Sequence, residues 1–96
     1  AAAESAVALP PADARTHDLL GWAYQLAGRP VEAEVVLRRA LELDPGLASA
    51  HYHLGSLYAR APTMQDLARQ HLQRAADLDT HGYYRARAEM LLAGVQ

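Results

Sequence analysis

Cysteine, phenylalanine, isoleucine, asparagine and lysine are all missing from the 96 residues. Without cysteine there is no disulfide framework and no zinc–thiolate site, and the absence suits a cytoplasmic or a periplasmic setting alike. β-Branched core residues are scarce, with five valines and no isoleucine, which argues against a sheet-based fold. Positive charge is also scarce. Nine arginines face eleven carboxylates for a net charge of −2, so the chain lacks the basic balance of a general nucleic-acid binder. No apolar run approaches the roughly 18 residues of a membrane span. Ala1 to Leu9 has no basic stretch of the signal-peptide kind and no Met opens the chain. A trimmed chain or mature fragment is therefore expected, and the echo of Val7-Ala-Leu9-Pro-Pro11 in Leu41-Glu-Leu43-Asp-Pro45, with Pro11 and Pro45 34 apart, reads as the tail of an earlier repeat in a longer array. What the chain does have is alanine and leucine, 21 and 15 residues, both strong helix formers. With 51% hydrophobic and 21% charged residues, one folded, all-helical domain is predicted.

Internal self-similarity organises the sequence. His17-Asp-Leu-Leu20-Gly21-Trp-Ala-Tyr24 aligns with His51-Tyr-His-Leu54-Gly55-Ser-Leu-Tyr58 at an offset of 34. Arg39-Ala40-Leu-Glu-Leu43-Asp44 aligns with Arg74-Ala75-Ala-Asp-Leu78-Asp79 at 35, which places one inserted residue near Arg60-Ala61-Pro62-Thr63. Each unit reads as two helices. Leu20, Ala23, Tyr24 and Ala27 share one face of the first helix, and Gly28 followed by Pro30 marks its end and the next start. Ala33, Val36, Leu37, Ala40 and Leu41 form the second stripe, which Asp44-Pro45-Gly46 stops. In the second unit a helix is predicted over about Leu47 to Ala59. After Pro62, Thr63 is placed as the cap of the next helix, with Asp66 as a short-armed capping-box partner. Ala68, His71, Leu72, Ala75 and Ala76 are its stripe, and a last helix spans about Tyr83 to Ala93.

This pattern resembles the tetratricopeptide repeat, a 34-residue helix–turn–helix with Leu-Gly at positions 7 and 8, Tyr at 11, Ala at 20 and 27, and Pro at 32. The first unit supplies Leu20, Gly21, Tyr24, Ala33, Leu37, Ala40 and Pro45, with His17 where Trp is usual. The second supplies Leu54, Gly55, Tyr58, Ala68, Leu72 and Ala75, with Thr80 in place of Pro. The resemblance implies an all-α, right-handed solenoid of helical hairpins. Its expected divisions are an N-terminal helix and Pro-Pro turn over 1–12, repeats over 14–47 and 48–82, and a capping helix over 83–96. Gly21 and Gly55 are expected to let paired helices approach closely, and Ala33 and Ala68 to do the same from the facing helix. A truncated third repeat is the other reading of the last segment.

The resemblance further implies a non-catalytic module that binds a peptide or protein segment on the concave face lined by the first helices. Positions 2, 5, 6, 9, 12 and 13 carry over to Arg15, Asp18, Leu19, Trp22, Gln25 and Leu26, and to Ser49, Tyr52, His53, Ser56, Ala59 and Arg60. Leu19, Trp22 and Tyr52 are expected to form an apolar centre with Arg15 and Arg60 at the margins. Residues of these types dominate binding hot spots, and they suit a peptide with an apolar anchor and an acidic group. For Trp22, packing against the helix expected over Ala1 to Leu9 stands as the alternative. The chaperone-tail clamp of one subfamily needs Lys and Asn where this chain has Asp18, Trp22 and His53, so that ligand is not expected.

The remaining chemistry is thin. His17 and His51 share one repeat position and His71 sits opposite Val36, which makes all three structural. No His-x-x-x-His pair is present, so no metal and no cofactor are expected. Ser56 lies one turn from His53, but no orienting carboxylate is evident in the sequence. The competing reading is an assembly segment that forms a homodimer through its end helices, because a two-unit array exposes apolar ends unless they are capped.

Overall fold

The computed structural model describes residues 13–95, all of whose regular structure is helical. The helix expected over Ala1 to Leu9 and its Pro-Pro turn lie outside the described residues. Five α-helices follow one another: α1 (Ala14–Leu26), α2 (Pro30–Leu43), α3 (Ala48–Ala59), α4 (Gln65–Leu78) and α5 (Tyr83–Gly94). A short 3-10 turn, Pro62–Met64, precedes α4.

The helix ends follow local chemistry. Asp13 caps α1 by accepting from the Thr16 amide and the Thr16 hydroxyl, each at 2.8 Å. At its far end Gly28 takes a left-handed φ of 75°, and the Arg29 amide reaches back to the Tyr24 carbonyl at 2.9 Å. This is the Schellman closure that glycine permits. Pro30 then opens α2 with no lost hydrogen bond. The turn before α4 departs from expectation. Thr63 lies inside the 3-10 turn and makes no capping bond, and Met64 occupies the cap position. The inserted residue is absorbed by this tighter turn. Gln65 there donates to the Ala59 and Ala61 carbonyls at 3.2 and 2.9 Å, satisfying the end of α3. Asp79 joins the last two helices. Its carboxylate accepts from the amides of His81, Tyr84 and Arg85, which start α5.

Helices α1 and α2 form one antiparallel hairpin and α3 and α4 a second. Helix α5 packs on α4 and α3, just as α3 packs on α2 and α1. The helices α1, α3 and α5 therefore make one layer, with α2 and α4 behind it. Leu37, Leu54 and Leu72 are the largest fully buried side chains; Ala33 and Ala68 cluster with the first two, Ala75 and Ala88 with the third, and Ala14, Ala40 and Ala50 form a further cluster. Small residues of this kind let helix axes come close, and each leucine fills the remaining space.

A Cβ on Gly21 would run into Leu37, and one on Gly55 into Leu72, so each glycine makes room for a leucine of the facing helix, where Ala33 and Ala68 are fully buried. One detail of this packing corrects the reading of the sequence. In α1 the buried face consists of Ala14, His17, Asp18, Gly21 and Gln25, while Ala23 and Ala27 are exposed. The helix is rotated so that Gly21 meets α2 while Asp18 and Gln25 meet α3, and polar bonds to α3 outweigh the alanine stripe.

Candidate functional site

The layer of α1, α3 and α5 presents two adjoining clefts. The larger, about 630 Å³, is lined by Trp22, Gln25, Leu26, Tyr52, Ser56, Ala59, Arg60, Leu91 and Val95 among others. The second, about 460 Å³, is lined by Arg15, Asp18, Leu19, Ser49, His53, Asp79 and Tyr84 among others. All nine residues singled out for the site thus line this face, but in two groups. Arg15, Asp18, Leu19 and His53 lie on one side, and Trp22, Gln25, Tyr52, Ser56 and Arg60 on the other.

An aromatic ridge stands between the clefts. The Trp22 and His53 rings stack with centroids 4.6 Å apart. Tyr52 and Tyr84 each meet His53 edge-on, and they lie 5.5 Å from one another. Burial, and then the Asp18 carboxylate, push the Tyr84 phenol up from its ordinary pKa. Trp22 is half-buried in this cluster, with its ring along the larger cleft.

Asp18 holds the ridge from below. It is 5% exposed, and a carboxylate so buried requires partners. His53 Nδ1 donates to one oxygen at 2.7 Å and the Ser49 hydroxyl donates to the other at 2.5 Å. Because a carboxylate only accepts, the proton at His53 sits on Nδ1, and the ring is fixed in the plane that stacks on Trp22. Asp18 and His53 were expected as groove residues; both are buried, and they position the aromatic ridge. Ser49 was placed on this face by its register, but its bond to Asp18 spans 31 residues and has no local signature. Leu19 departs from the expected apolar centre in the other direction: it is 68% exposed, at the outer margin of the smaller cleft. Arg15 and Arg60 are exposed, one at each cleft.

The Ser56–His53 pair does not form as a hydroxyl–imidazole contact. The Ser56 hydroxyl donates to the His53 carbonyl at 2.9 Å and accepts from Gln25 Nε2 at 3.0 Å. The Ser49 proton is committed to Asp18. Neither serine is thus poised to pass its proton to the imidazole.

His51 and His71 are packing groups. His51 Nε2 lies 2.8 Å from the Pro45 carbonyl, which only accepts, so this nitrogen carries the proton. In the neutral ring its Nδ1 is then an acceptor for His71 Nδ1–H at 3.0 Å. The pair links α3 to α4. Burial, then the charges of His51 and Arg38, lowers His71 to a pKa of about 4, and burial also lowers His51. Position 11 of the pattern is equally structural. The Tyr58 hydroxyl donates to Glu34 at 2.6 Å, and burial followed by this bond raises the phenol to about 12.

Leu91, Val95 and Tyr84 were not anticipated as lining residues. A signal was present: they fall 35 residues after Ser56, Arg60 and Ser49, the offset of the second unit. Among the described residues no group of three or more metal-ligating side chains is assembled, and no helix is long and apolar enough to cross a membrane.

These features define an all-α helical-repeat protein with a cleft on the layer of first helices. The tetratricopeptide repeat family model matches residues 14–47, the hairpin of α1 and α2, so this hairpin is similar to a tetratricopeptide repeat. Repeats of this family generally mediate protein–protein interaction and are typically non-catalytic. No curated protein and no solved structure matches the chain.

Proposed function

We propose that the chain binds a short segment of a partner protein in the larger cleft, against the wall formed by Trp22, Tyr52, Leu91 and Val95. In this reading α3 and α4 are a second repeat, and α5 stands where the first helix of a third would. The observation that carries the proposal is the aromatic ridge. Trp22 is held by a ring stack and a buried hydrogen-bond chain through His53 and Asp18 to Ser49, which costs a partner little ordering entropy on binding. Arg60 at the rim suits an acidic group on the partner, and Trp, Tyr and Arg together are the usual carriers of interface energy. Trp22 is the single tryptophan of the chain, so its emission reports on the cleft directly. Panning a random twelve-residue peptide library against the protein is expected to recover peptides that shift Trp22 emission on titration. Recovery of none, or of peptides that leave the emission unchanged, refutes the groove reading.

A second reading, self-association, draws on exposed apolar side chains at the ends of the array. Leu26, Val31 and Val35 are largely exposed, and Met90 of α5 is 77% exposed. Light scattering after size exclusion separates the two: a monomer near 10.4 kDa supports the groove, and a concentration-independent dimer supports assembly.

A further inference from the structure

Gln25 stands out in the wall of the larger cleft. It is 8% exposed, and its Nε2 donates to Ser56. The Ser56 hydrogen is committed to the His53 carbonyl, so the hydroxyl can only accept from Gln25, and this fixes which end of the amide faces it. The other end, Oε1, is buried with no hydrogen-bond partner. Native folds rarely leave a buried acceptor unpaired, because its lost hydration is not repaid, and an apolar side chain of the same length would avoid the cost. Gln25 lines the larger cleft and also a neighbouring cavity of about 260 Å³ beside the α1–α2 turn.

We infer that Gln25 Oε1 is a specificity element of the cleft that accepts a main-chain N–H from an extended partner segment. The inference rests on the groove reading above and names the form of the ligand. Arg60 lines both cavities, and among the described residues no carboxylate lines either. A cationic donor would meet an uncompensated like charge there, so the donor is neutral. An extended chain offers an unpaired amide N–H at every residue, whereas a helical partner has spent most of its own. The terminal torsion of glutamine is soft, so a modest turn brings the oxygen to an incoming amide while Nε2 stays with Ser56.

The test uses a synthetic peptide of a sequence recovered by the panning above, and a series in which each amide is replaced in turn by an ester. Gln25→Met removes the orphan acceptor. It is expected to melt at or above the wild-type temperature and to bind the peptide about 2- to 10-fold more weakly, the equivalent of one neutral hydrogen bond. One ester position is expected to weaken binding to wild type by a similar factor and to have no effect on Gln25→Met. Gln25→Glu, which keeps an acceptor, retains that ester penalty and decides the matter if Gln25→Met does not fold. Wild-type affinity in Gln25→Met, or an ester scan that is the same for wild type and the residue-25 variants, overturns the inference while leaving the groove reading intact. Failure to recover any peptide refutes the groove reading and this inference with it.

Discussion

Gly55→Ala tests the packing that places α3 against α4. In the middle of a helix this change normally gains about 1 kcal/mol, because alanine loses less backbone entropy than glycine. Here the added Cβ would lie 2.8 Å from Leu72 Cγ, 2.9 Å from its Cδ2 and 3.1 Å from its backbone nitrogen. Leu72 is fully buried, and the backbone contact yields only if α4 itself shifts. Overpacking costs about 1–3 kcal/mol, and a backbone neighbour puts this site in the upper part of that range. The net loss is about 1–2 kcal/mol, or roughly 5–15 °C in melting temperature for a chain of this size. Thermal unfolding followed by circular dichroism measures it. Gly94→Ala is the control: nothing lies within 4 Å of its new methyl, so no loss is expected. Leu72→Ala alone should cost about 2–5 kcal/mol. The double variant should cost less than the sum of the two single changes, since the methyl fills part of the hole. A Gly55→Ala protein that melts at or above wild type would refute the close-approach argument.

Three further outcomes are expected. The folded protein holds His71 and His51 below their ordinary pKa, so between about pH 6.5 and 4 the unfolded chain binds protons that the folded chain refuses. Stability is therefore full above pH 6.5 and falls as pH drops through that window, by about 1–3 kcal/mol after allowance for solvent screening of a half-buried ring. Urea unfolding at pH 7.5 and 4.5 should show this loss, and His71→Val, which installs the type found at Val36, should lessen it; equal pH slopes would disprove the assignment. Asp18→Ala leaves Ser49 and His53 without their acceptor and is expected to cost about 1–3 kcal/mol while altering Trp22 emission; an unchanged emission spectrum would show that the chain does not hold the ring. Asp79→Ala removes the acceptor of three amides at the start of α5, so limited proteolysis should cut within α5 sooner than in wild type, and an unchanged cleavage rate counts against this anchor.

What the sequence determined by itself is most of what short-range rules govern, the cap expected at Thr63 being the exception. Helix starts and stops at Asp13, Gly28 and Pro30 depend on backbone groups a few residues away, and two hairpins follow from residues that recur at 34. The stripe of α2, with Ala33, Leu37 and Ala40 fully buried, was legible because Leu37 sits one turn from each alanine and anchors the face, although Val31 and Val35 of the same helix stay exposed. The α1 stripe was not, because alanine carries too little apolar area to define which side of a helix turns inward. There the tertiary structure decided: Asp18 and Gln25 turned toward α3 because Ser49, His53 and Ser56 offered them hydrogen bonds 31 to 35 residues away. The chosen residues line two clefts of one helical layer. Their division into two clefts, the burial of Asp18 and His53, and the orphan oxygen of Gln25 all arise where three helices meet, and no periodicity along a single chain encodes the distance between helices.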